Sequence, residues 1–281
     1  MREIELREIS RAVKELSIEA NTVANDDLRC ALKASIEKEE SPAGKAVLNQ
    51  LLKNQDIAKT EKIPICQDTG FAVVFLEIGI DVRLIGRSLE EAVNQGVRDG
   101  YTEGFLRKSI LKDPLTQPVN TKDNTPAIIH TAIVPGNGVR ITMMPKGGGS
   151  ENMSRIEMLK PSDGVEGIKD FVLETVRTAG GNPCPPIIVG VGVGGTFDYV
   201  AFLAKKSLLR KIGERNADPE LAAMEVSWLE EVNKLGIGPA GLGGRVTAMD
   251  LFLEVFPRHI ATLPVAVNIQ CNAARVKTRV L

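Results

Sequence analysis

The apolar run over residues 185–193 places the strongest constraint on how this chain can fold. It contains no charged residue and alternates glycine with β-branched residues, so residues 187–193 predict a strand buried inside a sheet. The run is too short to cross a bilayer as a helix. Helical patterns precede and follow it, and the sequence therefore predicts a mixed α/β fold.

The first sixty residues have a helical pattern. Apolar residues share helical faces at Ile4, Ile9, Val13 and Leu16, and again at Leu28, Leu32 and Ile36. Ser41 and Pro42 then predict the N-cap and first residue of a third helix. We expect a single domain over residues 1–281, with a helical N-terminal layer over about residues 1–60 and a mixed-sheet α/β core over about residues 61–281.

Within that core the patterns alternate between strand and helix. Strands are expected at 71–80, 127–134, 139–144, 187–193 and 265–271, and helices at 88–101, 164–179, 199–212 and 219–235. Residues 135–138, with the sequence PGNG, predict a turn that joins two consecutive strands as a hairpin.

Charge and composition exclude several classes of protein. Lys and Arg number 35 and Asp and Glu 36, which gives a formal net charge of -1. This balance has no basic footprint for nucleic acid. The N-terminal sequence alternates charges and contains no apolar signal core. We expect a soluble cytoplasmic protein with no nucleic-acid or membrane partner.

The four cysteines are the first features that indicate a site. Without a secretion signal, disulfides are not expected, and the absence of a CxxC pair excludes a zinc ribbon. Cys30 falls within a helical pattern, where a half-buried thiol without function is expected. Cys66, Cys184 and Cys271 each lie where a loop meets a strand, and such junctions often present functional groups. These three fit a site assembled by the fold, or buried structural thiols.

A GxGxxG pattern over residues 190–195 resembles a dinucleotide-binding fingerprint. The second strand with an acidic end that such a site needs is missing from the sequence. A tight approach of the chain to a bulky neighbour explains these glycines better.

Three thiolates are one fewer than a cubic iron–sulfur cluster normally takes. A [4Fe-4S] cluster held by three cysteines leaves one iron open to substrate oxygen atoms. That iron is a Lewis acid, which dehydration of a 2-hydroxy acid requires together with cations for carboxylates and a proton donor.

Five motifs in chain order make the sequence similar to the iron–sulfur class I fumarases and the related L(+)-tartrate dehydratases. The motifs are CQDTG at 66–70, DNTPA at 123–127, KGGGSEN at 146–152, CPP at 184–186 and GPAGLGG at 238–244. The resemblance spans nearly the whole chain. It implies that Cys66, Cys184 and Cys271 hold a [4Fe-4S] cluster in which one iron is not ligated by protein.

The same resemblance implies roles for five further residues. Gln67, Asp68, Arg107 and Gly148 match substrate-contacting residues, and His259 matches a histidine that works with the aspartate in proton transfer. An arginine can bind a carboxylate through two hydrogen bonds, and N–H groups of a glycine loop can form an anion nest. Arg107 could also be a solvated charge, and His259 could simply cap a helix.

His130, in a β-rich run, is expected to be a core residue.

The single-chain fumarases resembled here continue into a second domain, whereas this chain stops ten residues after Cys271. We therefore expect the α subunit of a two-subunit hydro-lyase, whose separate β subunit completes the active site, in a dimer of α/β pairs. The expected reaction is reversible hydration of fumarate to (S)-malate, with L(+)-tartrate dehydration as the alternative. A non-catalytic cluster protein that senses oxygen or iron, and lastly a nicotinamide-dependent enzyme, stay open.

Overall fold

The structure, a computed structural model, describes all 281 residues as a mixed α/β fold. The helices are α1 Leu6–Thr22, α2 Asp26–Lys38, α3 Pro42–Glu61, α4 Leu89–Glu103, α5 Gly148–Glu151, α6 Gly164–Ala179, α7 Phe197–Ser207 and α8 Pro219–Lys234. The strands are β1 Arg2–Glu5, β2 Phe71–Gly79, β3 Val82–Ile85, β4 Ile128–Val134, β5 Val139–Lys146, β6 Arg155–Leu159, β7 Ile187–Gly195, β8 Ala248–Arg258, β9 Leu263–Gln270 and β10 Lys277–Val280. No helix combines the length and apolar character needed to cross a membrane.

The chain divides into two compact units. The first unit contains Met1–Asn25, Asn54–Gly148 and Arg275–Leu281, and the second contains Asp26–Lys53 and Gly149–Ala274. Each unit has its own sheet and its own buried apolar core. Because the chain passes between the units several times, no single composition shift in the sequence marks the division.

The first unit is built on a four-stranded sheet in the order β10-β5-β2-β4. Strand β2 pairs parallel to β4 and antiparallel to β5. Helices α1 and α4 pack against this sheet, and the core contains residues of the helices and strands, among them Ile9, Val13, Val74, Val97 and Ile141. A short parallel pair, β1 and β3, completes the unit.

The second unit is built on a four-stranded sheet in the order β6-β9-β7-β8. Strand β7 pairs parallel to β8 and antiparallel to β9. Val189 and Val191 on β7 enter the core that α6 and α8 cover. On the other face a Cβ atom at Gly190 or Gly192 would lie 2.3 or 2.4 Å from a carbonyl oxygen of α7. The glycines of the GxGxxG pattern therefore let a helix lie directly against the strand, as expected from their sequence context.

The expected elements are largely present, with one error of pairing. The strand prediction for 127–134 and 139–144 is confirmed, but the hairpin between them is wrong, because β2 lies between β4 and β5. Residues 135–138 instead cross the end of β2, where Gly79 N–H donates to Gly138 O (2.9 Å) and Asp81 N–H to Gly136 O (3.0 Å). A turn-forming sequence predicts that the chain reverses direction, but it does not determine which strands pair with each other.

The N-terminal helices are present, and they are divided between the two units. Helix α1 lies in the core of the first unit, whereas α2 belongs to the second. Strand β8 was not predicted, and the helix expected at 199–212 ends at Ser207. The segment after that helix covers the open edge of β8, where Asn216 Nδ2 donates to Leu253 O at 2.7 Å. Covering an edge strand in this way blocks unwanted pairing.

A buried carboxylate, Glu39, holds the chain before β8. Its side chain accepts N–H groups of Glu40, Ser41, Arg245 and Val246 at 2.9–3.0 Å, and it is 1% exposed. Burial by itself would raise the pKa of Glu39, but these hydrogen bonds outweigh burial and hold the pKa below its ordinary value of 4.5.

We predict that Glu39→Gln lowers the free energy of unfolding by about 2–4 kcal/mol at pH 7, because an amide NH₂ group would face buried N–H donors. The matched control is Glu40→Gln, which removes an exposed carboxylate paired with Arg245 and should change stability by less than about 0.5 kcal/mol. Urea denaturation of the three proteins measures both effects. Equal losses in the two variants would contradict the role of Glu39.

The contribution of Glu39 to the stability of the folded chain should decrease in acid. Since the pKa of Glu39 is lower in the folded chain, its contribution is present above about pH 4.5 and is lost as the pH falls through the folded value. The stability difference between wild type and Glu39→Gln should therefore shrink in acid, as urea midpoints between pH 7 and pH 3 would measure.

Candidate active site

The loop that carries Cys66 is anchored within the first unit. Ile65 N–H donates to Asn21 O at 2.8 Å, and Asn54 Nδ2 donates to Ile65 O at 2.7 Å. Cys66 follows directly and is half-buried, whereas Gln67 is exposed. The anchored main chain thus presents the Cys66 thiol and the Gln67 side-chain amide from a fixed position.

Asp68 is the most constrained of the predicted site residues. Its Oδ1 accepts Gly70 N–H at 3.0 Å, and its Oδ2 accepts Gly148 N–H at 2.7 Å. The structure therefore brings together Asp68 and Gly148, two residues that the sequence analysis placed in one site. In this arrangement the Gly148 N–H orients the carboxylate, which retains further lone pairs for a proton or a ligand.

Three successive carbonyl groups of this loop accept hydrogen bonds from side chains. Arg275 Nη1 donates to Asp68 O at 2.6 Å, and the Tyr101 hydroxyl donates to Thr69 O at 2.7 Å and Gly70 O at 3.0 Å. Burial raises the pKa of Tyr101 far above its ordinary value, so the phenol stays protonated and donates.

The DNTPA motif connects this loop to the segment of Arg107. Asn124 is fully buried, and its side chain donates to Gly70 O at 3.1 Å and accepts Ser109 N–H at 2.8 Å. Thr69 Oγ1 donates to Arg107 O at 2.8 Å. The main chain at Arg107 is therefore fixed beside the loop of Asp68, and the arginine side chain is exposed.

In the second unit, Cys184 and Cys271 lie at the same end of the sheet. Strands β7 and β9 are antiparallel with Ile188 opposite Gln270, so the start of one lies beside the end of the other. Asn272 links the segment after β9 to the segment before β7, because its N–H and Nδ2 both donate to Cys184 O, at 3.3 and 2.7 Å. Cys184 is exposed and Cys271 half-buried.

Two further motifs border Cys184. In the GPAGLGG segment, Ala240 N–H donates to Pro185 O at 2.8 Å, and Gly241 lies directly against Gly181. The KGGGSEN segment is held through Glu151, which accepts hydrogen bonds from Lys205 and from Asn268 Nδ2. The motifs thus surround one end of the sheet.

His259 lies at the opposite end of the same sheet. It follows β8 and precedes β9, whereas Cys271 follows β9, which places the two roughly 20 Å or more apart along the strand. The imidazole is exposed, and its Nδ1 accepts Ala261 N–H at 3.1 Å. It therefore caps a turn between strands and not a helix. The structure does not bring His259 to Cys184 and Cys271 within one chain.

Two minor expectations have different outcomes. His130 is half-buried and stacks on Phe75 with a distance of 4.9 Å between ring centroids, in line with a core role. Cys30 is exposed on α2 and not half-buried as expected.

All four cysteines are thiols. Neither unit by itself assembles three His, Cys, Asp or Glu side chains into a metal-binding group. Cys66 belongs to the first unit, and Cys184 and Cys271 to the second. The donor chemistry fits an iron–sulfur cluster, because three thiols on anchored loops are available and thiolates are the usual ligands of such clusters.

Sequence reasoning missed the residues that hold these loops. Asn21 and Tyr101 lie in helices and Arg275 near the C-terminus, where none of them belongs to a recognisable motif. Asn21 and Tyr101 are buried polar residues within amphipathic helices, and that mismatch with an apolar face is a signal that could have been used. The partner of each could not be read from the sequence.

Comparison with known proteins reveals a match to a family pattern described as fumarate hydratase (Fumerase) over residues 10–280. The chain is 47% identical over 271 residues to the putative L(+)-tartrate dehydratase subunit alpha of Methanocaldococcus jannaschii, covering 95% of each chain. It is 32% identical to the L(+)-tartrate dehydratase subunit alpha of Escherichia coli K12, covering 96% of this chain and 89% of that one.

Gly70 provides a test of how tightly the loop is packed. Its φ is +79°, and a Cβ atom there would lie 2.8 Å from Lys146 N, whereas Gly136, with φ +115°, has nothing within 4 Å of that position. Gly136→Ala should cost about 1 kcal/mol from backbone strain alone, and Gly70→Ala about 3 kcal/mol or more, because a main-chain contact is added. Urea denaturation measures both variants, and equal losses would show that the loop has room to move.

Proposed function

This chain belongs to the fumarate hydratase family, and from that premise we propose that it is the α subunit of a two-subunit hydro-lyase acting on a four-carbon dicarboxylate. The leading reaction is the reversible hydration of fumarate to (S)-malate. The observation that carries the proposal is the set of contacts around Asp68, whose carboxylate is oriented by Gly70 and Gly148 directly after Cys66.

The proposed cofactor is a [4Fe-4S] cluster held by Cys66, Cys184 and Cys271, with one iron not ligated by protein. When bound, the cluster supplies a Lewis acid that polarises the substrate carboxylate and hydroxyl. The support in this chain is its set of three thiols, two of which lie at the same sheet end through the bonds of Asn272.

Each remaining site residue has a task that its position permits. Arg107 is exposed on a fixed main chain and would bind a substrate carboxylate through two hydrogen bonds. Gln67 is exposed beside Cys66 and would donate or accept at the substrate. Gly148 holds Asp68 Oδ2, and Asp68 would exchange a proton at a free lone pair.

Dehydration of malate requires that the hydroxyl leave C2 with a proton while a base removes the proton from C3. We assign the protonation of the hydroxyl to Asp68, and the base to the β subunit.

His259 can share in this proton transfer only as a residue of a second copy of the chain. Within one chain it lies at the sheet end opposite Cys184 and Cys271. This position supports the proposed dimer of α/β pairs, in which one α subunit would lend its histidine to the site of the other. The two proton-transfer residues would then come from different chains.

L(+)-tartrate is the second candidate substrate. The relatives from M. jannaschii and E. coli carry the name of tartrate dehydratase subunits. Malate and tartrate differ by one hydroxyl group, and a site that hydrogen-bonds this group would discriminate strongly against the substrate that lacks it.

The α/β complex should be assayed with (S)-malate and L(+)-tartrate under anaerobic conditions, with kcat/KM determined for each. We expect a preference of at least about 100-fold for one of them, because an unpaired polar group in the site penalises the other. The α chain alone should turn over neither at a significant rate. Full activity of the α chain alone would refute the two-subunit proposal, and no turnover by the complex would favour a redox-sensing cluster protein.

Cysteine variants test the cofactor assignment. Cys66→Ser, Cys184→Ser and Cys271→Ser should each lose most of the bound iron and the [3Fe-4S] EPR signal that mild oxidation generates from a cluster with a labile iron. Cys30→Ser is the matched control and should retain both, because its thiol lies on the exposed face of α2. A full cluster signal in any of the first three variants would remove that cysteine from the ligand set.

A further inference from the structure

Arg275 is a buried cation that none of the sequence motifs includes. It lies four residues after Cys271 and two before β10, and its side chain belongs to the first unit. Only 2% of the residue is exposed. A fully buried guanidinium is costly unless its hydrogen bonds are well satisfied.

The hydrogen bonds of Arg275 go to uncharged oxygens. Nη1 donates to Asp68 O at 2.6 Å and to Asn21 Oδ1 at 3.0 Å. Nε is buried with no hydrogen-bond partner. The buried charge is therefore not neutralised by an ion pair, and the arrangement destabilises the folded chain relative to an apolar side chain of the same shape.

Arg275 is the side chain that donates a hydrogen bond to the carbonyl of Asp68. The next two carbonyls along the loop, of Thr69 and Gly70, accept the Tyr101 hydroxyl. Without Arg275, the peptide group between Asp68 and Thr69 would lose its side-chain donor. This peptide group directly follows the Cα atom of Asp68, and Cys66 lies two residues before it. A rotation here therefore redirects the Asp68 carboxylate and shifts the segment that carries the Cys66 thiol.

Arg275 also borders the glycine loop that contacts Asp68. Its Nη2 lies 3.4 Å from the Cβ position of Gly147, and that position lies 3.2 Å from Asp68 Oδ2. The guanidinium and the Asp68 carboxylate thus border the same space beside Gly147, so Arg275 lies next to the side chain of Asp68 as well as its carbonyl.

We propose that Arg275 is a positioning residue, which holds the Asp68 carbonyl so that the Cys66 thiol and the Asp68 carboxylate keep their productive directions. The proposal rests on the function proposed above for Cys66 and Asp68. The segment over residues 271–275 then supplies one proposed cluster ligand and the anchor of another.

The test compares Arg275→Gln and Arg275→Lys with a matched control, Arg279→Gln. Arg279 lies four residues further along, is half-buried and pairs with Glu15 at a distance from the proposed site residues. All variants are prepared as α/β complexes and also as cluster-free α chains. Thermal unfolding is measured first, so that the kinetics are compared only at temperatures where each variant is folded.

In the complex, Arg275→Gln should lower kcat by about 10–100-fold with KM changed by less than about 3-fold, because the reacting groups are misdirected while the substrate is still bound. Arg275→Lys, which keeps a donor and the charge, should recover part of the loss. Arg279→Gln should match wild type. A wild-type kcat in Arg275→Gln, or an equal loss in Arg279→Gln, would overturn the proposal.

Two further measurements on the cluster-free chain do not depend on turnover. In Arg275→Gln, hydrogen exchange of the Gly70 and Gly148 amides and alkylation of Cys66 by iodoacetamide should both accelerate about 10-fold, with Cys30 alkylation unchanged. Unchanged rates at the loop, or the same acceleration throughout α1 and β5, would overturn the positioning role. Because these rates are read without substrate, they test Arg275 even if neither malate nor tartrate is turned over.

Discussion

The loops that carry the candidate site are irregular, and their main-chain polar groups still need hydrogen-bond partners where they are buried. Side chains supply these partners. Arg275, Tyr101 and Asn124 hold the carbonyls of residues 68–70, and Asn272 holds the carbonyl of Cys184. Each of these bonds fixes a short stretch of loop at the end of a strand. The directions of the site residues therefore depend on polar side chains that do not themselves belong to the chemistry.

The sheet of the second unit adds a rigid base to these loops. Glycines on β7 let α7 lie directly against one face, while valines on the same strand fill the core on the other. Glu39 then fixes the chain that leads into β8 through bonds to N–H groups. A close-packed sheet with both faces covered holds its ends in place, and Cys184 and Cys271 lie at one such end.

The same sheet explains why two kinds of proposed site residue lie far apart. The cysteines lie at the end where β7 starts and β9 ends, and His259 lies where β8 ends and β9 starts. An antiparallel pair of strands necessarily places the two termini of β9 far apart. A resemblance carried over residue by residue cannot reveal this separation, because it records which residues match and not how far apart they lie in the fold. The separation is what makes a second copy of the chain necessary to the proposed use of His259.

The sequence by itself determined many of the local elements and indicated the residues of the candidate site. Periodic apolar residues defined α6 to the residue and five of the ten strands to within two residues. The motifs indicated three thiols, Asp68 and Gly148. Only the tertiary structure decided which elements are neighbours. It inserted β2 between β4 and β5, formed β8 as a covered edge, and brought Arg275 to Asp68 across 207 positions of sequence. The spacing of apolar residues indicates which side chains are buried, but it does not indicate what they contact, because burial against any apolar surface is favourable. Polar partners are specific, and the fold alone selects them.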